Sequence, residues 1–253
     1  MRTTLATLAL TAALALPGAG SAAPLDLSDM SEADRAAFGE QVRAYLLENP
    51  EVLMEALQVF DQRRSAAAQD ADRQLVAENA ERLFDDGFSW VGGNPDGDVT
   101  LVEFLDYRCG YCKKAQPEVE ALLERDPNLR LVVKEFPILG PESVTAGKMA
   151  LAALELDRAK FGPLHHALMD YRGNLTEEAA YELAGEAGYD LDKLRELAGS
   201  TEIADRLQKN YQLAQALGLQ GTPAFVVGDQ IIRGYLPADE LAAAVEEARA
   251  AQN

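Results

Sequence analysis

Glu103-Phe104-Leu105-Asp106-Tyr107-Arg108-Cys109-Gly110-Tyr111-Cys112 reads as a buried strand that runs directly into a helix, with two cysteines at the junction. On a first helical turn, residues three apart share a face, so the two sulfurs lie close enough to bond reversibly. A bridge this local closes no long loop and adds little to stability, which suits exchange better than stapling. Cys109 stands at the helix N-terminus, where unpaired N–H groups and the positive end of the dipole favour its thiolate. It is the expected nucleophile. Cys112, one turn further in, is the expected resolving thiol. Structural zinc takes four ligands, and the chain has only these two cysteines and two histidines, His165 and His166, far along the sequence. Cu(I), which accepts two thiolates, stays open as an alternative use of the pair.

Outward from this stretch the pattern is that of a sheet with a long helical insertion. Strand signals at 88–91 and 99–105 flank the turn-rich 92–98, a helix is expected from 109 to about 124, and 129–136 is a third strand candidate, an apolar run typical of a buried strand flanked by helices. Only helical patterns follow: 145–156, 164–171, 176–187, 191–197 and 203–217, with breaks at Gly162-Pro163, Gly173-Asn174 and Gly188. The stretches 224–227 and 230–233 around Gly228-Asp229 signal a β-hairpin, and 237–250 closes the chain as an amphipathic helix. The fold class is therefore α/β, with the insertion spanning about 141–218.

Residues 23–86 are helical and poor in strand formers. Ser31 is a candidate N-cap for a helix carrying Phe38, Val42, Tyr45 and Leu46, and Asn49-Pro50 looks like an N-cap followed by a first-turn proline. Leu53, Leu57 and Phe60 continue at helical spacing, but 61–74 has no apolar stripe and is either a solvated helix or a connector. So small an apolar face cannot fold alone. It predicts an oligomerisation or docking stalk, the alternative being helices packed on the main domain at 87–253.

Composition narrows the class. The chain of 253 residues is 48% hydrophobic and 26% charged, which suits a folded protein rather than a disordered one. Its 42 acidic against 23 basic residues give a net charge of −19, a field that repels phosphate backbones and argues against nucleic-acid partners. Residues 1–22 carry Arg2, an Ala/Leu run and small residues around a cleavage point, the pattern of a signal peptide. Such a leader would deliver the chain to a compartment where disulfides persist.

The quoted stretch, with Pro117 after it, resembles the active-site strand and helix of thioredoxin-fold oxidoreductases of the DsbA superfamily. Gly221-Thr222-Pro223-Ala224-Phe225-Val226-Val227 is similar to that family's cis-proline loop, and Tyr45-Leu46-Leu47-Glu48-Asn49-Pro50-Glu51-Val52-Leu53 resembles the ScsC-like subgroup, named for copper-sensitivity suppression. The resemblance implies a thioredoxin fold with an inserted helical domain and a thiol–disulfide oxidoreductase. Cys109 attacks and Cys112 resolves, with no cofactor beyond their own disulfide. Glu103 is implied as the buried proton acceptor for Cys112, and Lys134 on the neighbouring strand as its ionic partner. Gly110, Tyr111, Thr222 and Pro223 are implied to face substrate. A cis bond before Pro223 would present the Thr222 backbone to an extended chain and so favour broad specificity.

Among activities, disulfide isomerase or reductase linked to copper tolerance is expected over a monomeric dithiol oxidase, because no histidine lies between the cysteines and a stalk is present. A Cu(I)-binding protein is the rival from another class. Implied partners are unfolded or wrongly bridged exported proteins, a membrane reductant like DsbD or ScsB or an oxidant like DsbB, and further copies of this chain, in the periplasm. His165 and His166 are candidates for a base near the cysteine or, alternatively, one core and one solvated histidine.

Overall fold

The computed structural model describes residues 30–252 of the chain, so the expected signal peptide at 1–22 lies outside the described residues. The chain divides into two compact units, Met1–Phe60 and Asp61–Asn253.

In the first unit, α1 (Glu32–Glu48) starts at Ser31, whose hydroxyl accepts the Asp34 N–H as the sequence suggested. None of α1 is buried. α2 (Glu51–Glu78) begins one residue later than expected. Asn49 does not cap it; its side-chain amide donates back to the Tyr45 carbonyl at 2.9 Å, so it closes α1 instead. Phe38, Val42, Tyr45, Leu53, Leu57 and Phe60 remain exposed. The stretch 61–74 is helix, since α2 continues through it.

The second unit is built on a five-stranded sheet in the order β1-β3-β2-β4-β5: β1 (Trp90–Gly93), β2 (Val99–Leu105), β3 (Leu129–Glu135), β4 (Ala224–Val227) and β5 (Gln230–Arg233). β2 and β3 are parallel and every other pairing is antiparallel. The five strands and the terminal β4–β5 hairpin fall where the sequence pattern places them. Alternation along β2 separates two cores. Leu101 and Leu105 face α4 (Gly110–Arg125), α10 (Ala238–Ala251) and the insertion. Val102 and Phe104 face the opposite way, against Val76 of α2, Leu83 of α3 (Ala80–Phe84) and Leu213 of α9 (Thr201–Ala216). Packing thus makes the end of α2 and all of α3 part of the unit that carries the cysteines.

The insertion between β3 and β4 is five helices: α5 (Pro141–Leu156), α6 (Arg158–Asp170), α7 (Glu177–Glu186), α8 (Leu191–Ala198) and α9. The break expected at Gly162-Pro163 falls elsewhere, because both residues lie inside α6. Asp157 makes the break: its backbone ends α5 and its side chain accepts the Ala159 N–H to start α6, leaving Pro163 to cost one helical bond. The β4–β5 turn has Gly228 at φ 58°, and a Cβ there would meet the Ala248 methyl at 2.8 Å, so glycine is required on two counts.

Candidate active site

The loop between β2 and α4 is held by Asp106. Its carboxylate accepts the N–H of Arg108 at 2.8 Å and those of Ile138 and Leu139 at 2.9 and 3.1 Å, while its carbonyl accepts the Cys109 N–H at 2.9 Å. One buried acid therefore fixes the turn before the cysteines and the turn after β3. An Asp two residues before the N–H it caps is a recognisable Asx pattern, the one mark this residue leaves in the sequence.

Cys109 is the N-cap of α4 and 7% exposed; Cys112 is fully buried. Both thiols are free. The Cys109 pKa is lowered to about 5: the hydrogen bond from Cys112 leads, burial opposes it, and the Thr222 side chain and the backbone N–H groups of Cys112 and Tyr111 add to it. Burial pushes the Cys112 thiol up, helped by its hydrogen bond to Cys109 and by the Glu103 charge. The expected division of labour thus has a physical basis in exposure and charge.

Opposite the dithiol, the Thr222–Pro223 peptide bond is cis, and the Cys109 thiol donates to the Thr222 carbonyl at 3.2 Å. Thr222 and Pro223 line a surface cavity of about 470 Å³ together with Gly218, Gly221, Arg233 and Gly234. Tyr111 is 65% exposed beside the sulfurs, and at Gly110 a Cβ would meet nothing within 4 Å, so that face of the turn is open.

Glu103 lies beneath the dithiol, completely buried, and among the described residues neither carboxylate oxygen has a hydrogen-bond partner. Burial lifts its pKa to about 8. The pairing with Lys134 expected from sequence does not form. Parallel register sets Glu103 against Val133 and Phe104 against Lys134, which sends Lys134 to the other face of the sheet. There its ammonium donates to Asp86 Oδ2 at 2.5 Å and to the Arg82 carbonyl at 2.7 Å. Burial opposes ionisation of Asp86, yet the charge and hydrogen bond of Lys134 hold its carboxyl below the usual range.

His165 is buried between Trp90 and Phe161, and burial lowers its pKa to about 3. His166 is half-exposed and pairs with Glu120 at 2.6 Å. Among the described residues neither histidine hydrogen-bonds a sulfur. Lys113, one turn beyond Cys109, donates to the carbonyls of Leu168, Met169 and Tyr171, tying α4 to the end of α6.

Residues 100–246 match the DSBA-like thioredoxin domain. The chain belongs to this family. Residues 34–67 match the N-terminal domain of the copper resistance protein ScsC. A thioredoxin-like oxidoreductase from Silicibacter pomeroyi DSS-3 is 42% identical with a TM-score of 0.65, over 67% of this chain and 97% of that one. The catalytic domain of Proteus mirabilis ScsC is 31% identical with a TM-score of 0.65, over 70% and 98%. BcfH from Salmonella enterica Typhimurium is 32% identical with a TM-score of 0.69, over 86% and 96%. The chain spans about a quarter of the length of the curated relatives it matches, such as the Na(+)/H(+) antiporter NhaA 1 of Salinispora arenicola, 32% identical over 160 residues that make up 24% of that protein. No helix among the described residues is long and apolar enough to cross a membrane.

Proposed function

We propose that this chain is an exported protein-disulfide isomerase or reductase that works as an oligomer assembled through its N-terminal helices. The observation that carries the reading is the exposed apolar stripe of α1 and early α2, in a segment matching the ScsC N-terminal domain. An apolar face of this kind is stable in water only when another surface covers it. Several dithiols held around a shared space can engage one misbridged client repeatedly. Cys109 would attack the client disulfide, Cys112 would release it, and Thr222 with Pro223, Gly110 and Tyr111 would receive the client backbone. The leader at 1–22 supports export to the periplasm, and the copper-resistance family of residues 34–67 supports copper stress as the setting, where Cu-catalysed oxidation creates wrong disulfides. A membrane dithiol donor is the partner this direction of electron flow requires.

One observation favours a second reading. A Cys109 thiolate stable down to about pH 5 stabilises the dithiol, which makes the disulfide a readier oxidant. The experiment that separates them is recovery of scrambled ribonuclease beside refolding of reduced ribonuclease, for the mature chain, a Tyr45→Glu/Leu57→Glu variant and a chain beginning at Asp61. Recovery of the scrambled substrate that is lost in both altered forms, together with loss of oligomers, supports the isomerase. Activity on reduced ribonuclease alone, unchanged by either alteration, makes it an oxidase.

A further inference from the structure

The register that turns Lys134 away from Glu103 places a second acid beside it. Leu105 stands against Glu135 as Glu103 stands against Val133, so the two carboxyls project from the same face of adjacent strands. Glu103 is fully buried and Glu135 is 3% exposed. Several groups face Glu135. The Tyr107 hydroxyl, from the β2–α4 loop, donates to its Oε1 at 3.0 Å, and the same hydroxyl lies 3.1 Å from Nδ1 of His165 on α6. The carboxyls of Asp106 and Glu103 bear on it with like charge, and the Asn210 amide of α9 donates to its backbone carbonyl at 3.1 Å. Burial first, then these two acids, raise Glu135 to about 8 against the Tyr107 hydrogen bond.

One hydroxyl proton cannot serve both neighbours of Tyr107. With Glu135 ionised, Tyr107 donates to the carboxylate and His165 presents Nδ1–H. With Glu135 protonated, the carboxyl donates to the tyrosine oxygen, and Tyr107 donates to a His165 protonated on Nε2 instead. The charge of Glu135 is thereby tied to the tautomer of a histidine that rests on Trp90, ring centroids 5.1 Å apart. Trp90 is the sole tryptophan in the sequence.

We propose that Glu103 and Glu135 form one coupled buried diacid, and that Glu135 and Tyr107 are positioning residues that set the pH at which Cys112 completes disulfide exchange. The inference rests on Glu103 accepting the Cys112 proton. In that step the Cys112 thiol passes its proton to the Glu103 carboxylate, and its sulfur attacks Cys109 in the mixed disulfide. The Cys109–Cys112 bond forms, the bond from Cys109 to the client breaks, and the client leaves as a thiolate. A negative Glu135 makes Glu103 harder to ionise, so the pair releases its protons over a broadened pH range.

Rapid mixing of the reduced full chain with 5,5′-dithiobis(2-nitrobenzoate) reads both halves, because Cys109 liberates the first thionitrobenzoate and Cys112 the second. In the wild type the second phase should rise with pH along a curve shallower than one proton. Glu135→Gln should sharpen that curve to a single proton and move its midpoint down by about half a pH unit. Tyr107→Phe, which keeps the ring and raises Glu135 by removing its donor, should move the midpoint the same way. The first phase should be unchanged in both. A Trp90 fluorescence step near pH 8 in the wild type should disappear in Glu135→Gln. If Glu103→Gln slows the second phase but Glu135→Gln and Tyr107→Phe superimpose on wild type, the coupling is refuted. If Glu103→Gln itself leaves the second phase unaltered, Glu103 is not the acceptor and the proposal falls with that reading.

Discussion

Lys134 and Asp86 form a buried ion pair, with the lysine side chain 0% and the aspartate 10% exposed, on the face of the sheet that looks away from the dithiol. Replacing one member of such a pair strands the other charge without a partner, at a cost of about 3–5 kcal/mol. Lys134→Met should therefore lower chemical stability by that amount, and Asp86→Asn in the same chain should restore most of it. The equilibrium constant of the folded protein with glutathione should not move, since neither residue reaches the sulfurs. A shift of that constant as large as the one given by Glu103→Gln would return Lys134 to the active site.

Glu103 is the opposite case, a buried carboxyl with no hydrogen-bond partner among the described residues. Its folded pKa of about 8 lies above that of an unfolded glutamate, so between these values the native chain holds a proton that the unfolded chain has lost. Stability from this group is complete below the unfolded value and declines as pH rises through 8. Glu103→Gln should flatten that decline and leave the reduced protein more stable than wild type at pH 8 and above, while slowing the Cys112 step by about 100-fold. Denaturant titrations at pH 5, 7 and 9 give the stability comparison. A variant less stable than wild type at pH 9 would show that Glu103 has a partner stabilising its charge.

These two acids also mark how far the sequence could be read. The strand signals at 99–105 and 129–136 put both strands where they lie, because apolar burial on each face leaves little freedom of register; that they pair in parallel is seen only in the fold. Which residue of the third strand stands beside Glu103 depends on a shift of one position. Lys134 and Glu135 are adjacent in sequence, and only the paired backbone decides that the acid and not the base joins Glu103. The dithiol and Thr222-Pro223 were legible because their chemistry is local or carried by a proline. Asp86 and Tyr107 were not, because each acts through a partner 48 or 28 residues away, and Asp106 shows in the sequence only its local Asx contact to Arg108, not its hold on Ile138 and Leu139.

Cys109 should react with iodoacetamide at a rate that follows its thiolate, falling off only as pH drops through about 5. Its folded pKa lies below that of an unfolded cysteine, so the reduced form gains stability relative to its unfolded state above the folded value, and loses it as pH falls through 5. Cys109→Ser should abolish the fast phase. Cys112, buried and with its thiol held protonated, should label only on unfolding. Equal native rates at the two sulfurs would overturn the assignment of roles.

The place where the N-terminal helices can be cut away also follows from packing. A chain beginning at Asp61 keeps Val76 and Leu83 in the core beneath Phe104, the Asp86 partner of Lys134, and the bidentate bond from Arg233 to Asp72 that ties α2 to β5. A chain beginning at Gly87 loses all of these. Burying a leucine as completely as Leu83 contributes about 2–5 kcal/mol, and stranding Lys134 adds a loss of similar size. The shorter chain should therefore melt far below the longer one, by roughly 10 °C or more given the few degrees that each kcal/mol moves a domain of this size. Thermal unfolding of the two truncations, both in the reduced form, reads this directly. Equal midpoints would mean that α3 and the end of α2 add nothing to the catalytic unit, and that their apolar side chains belong with the stripe on α1.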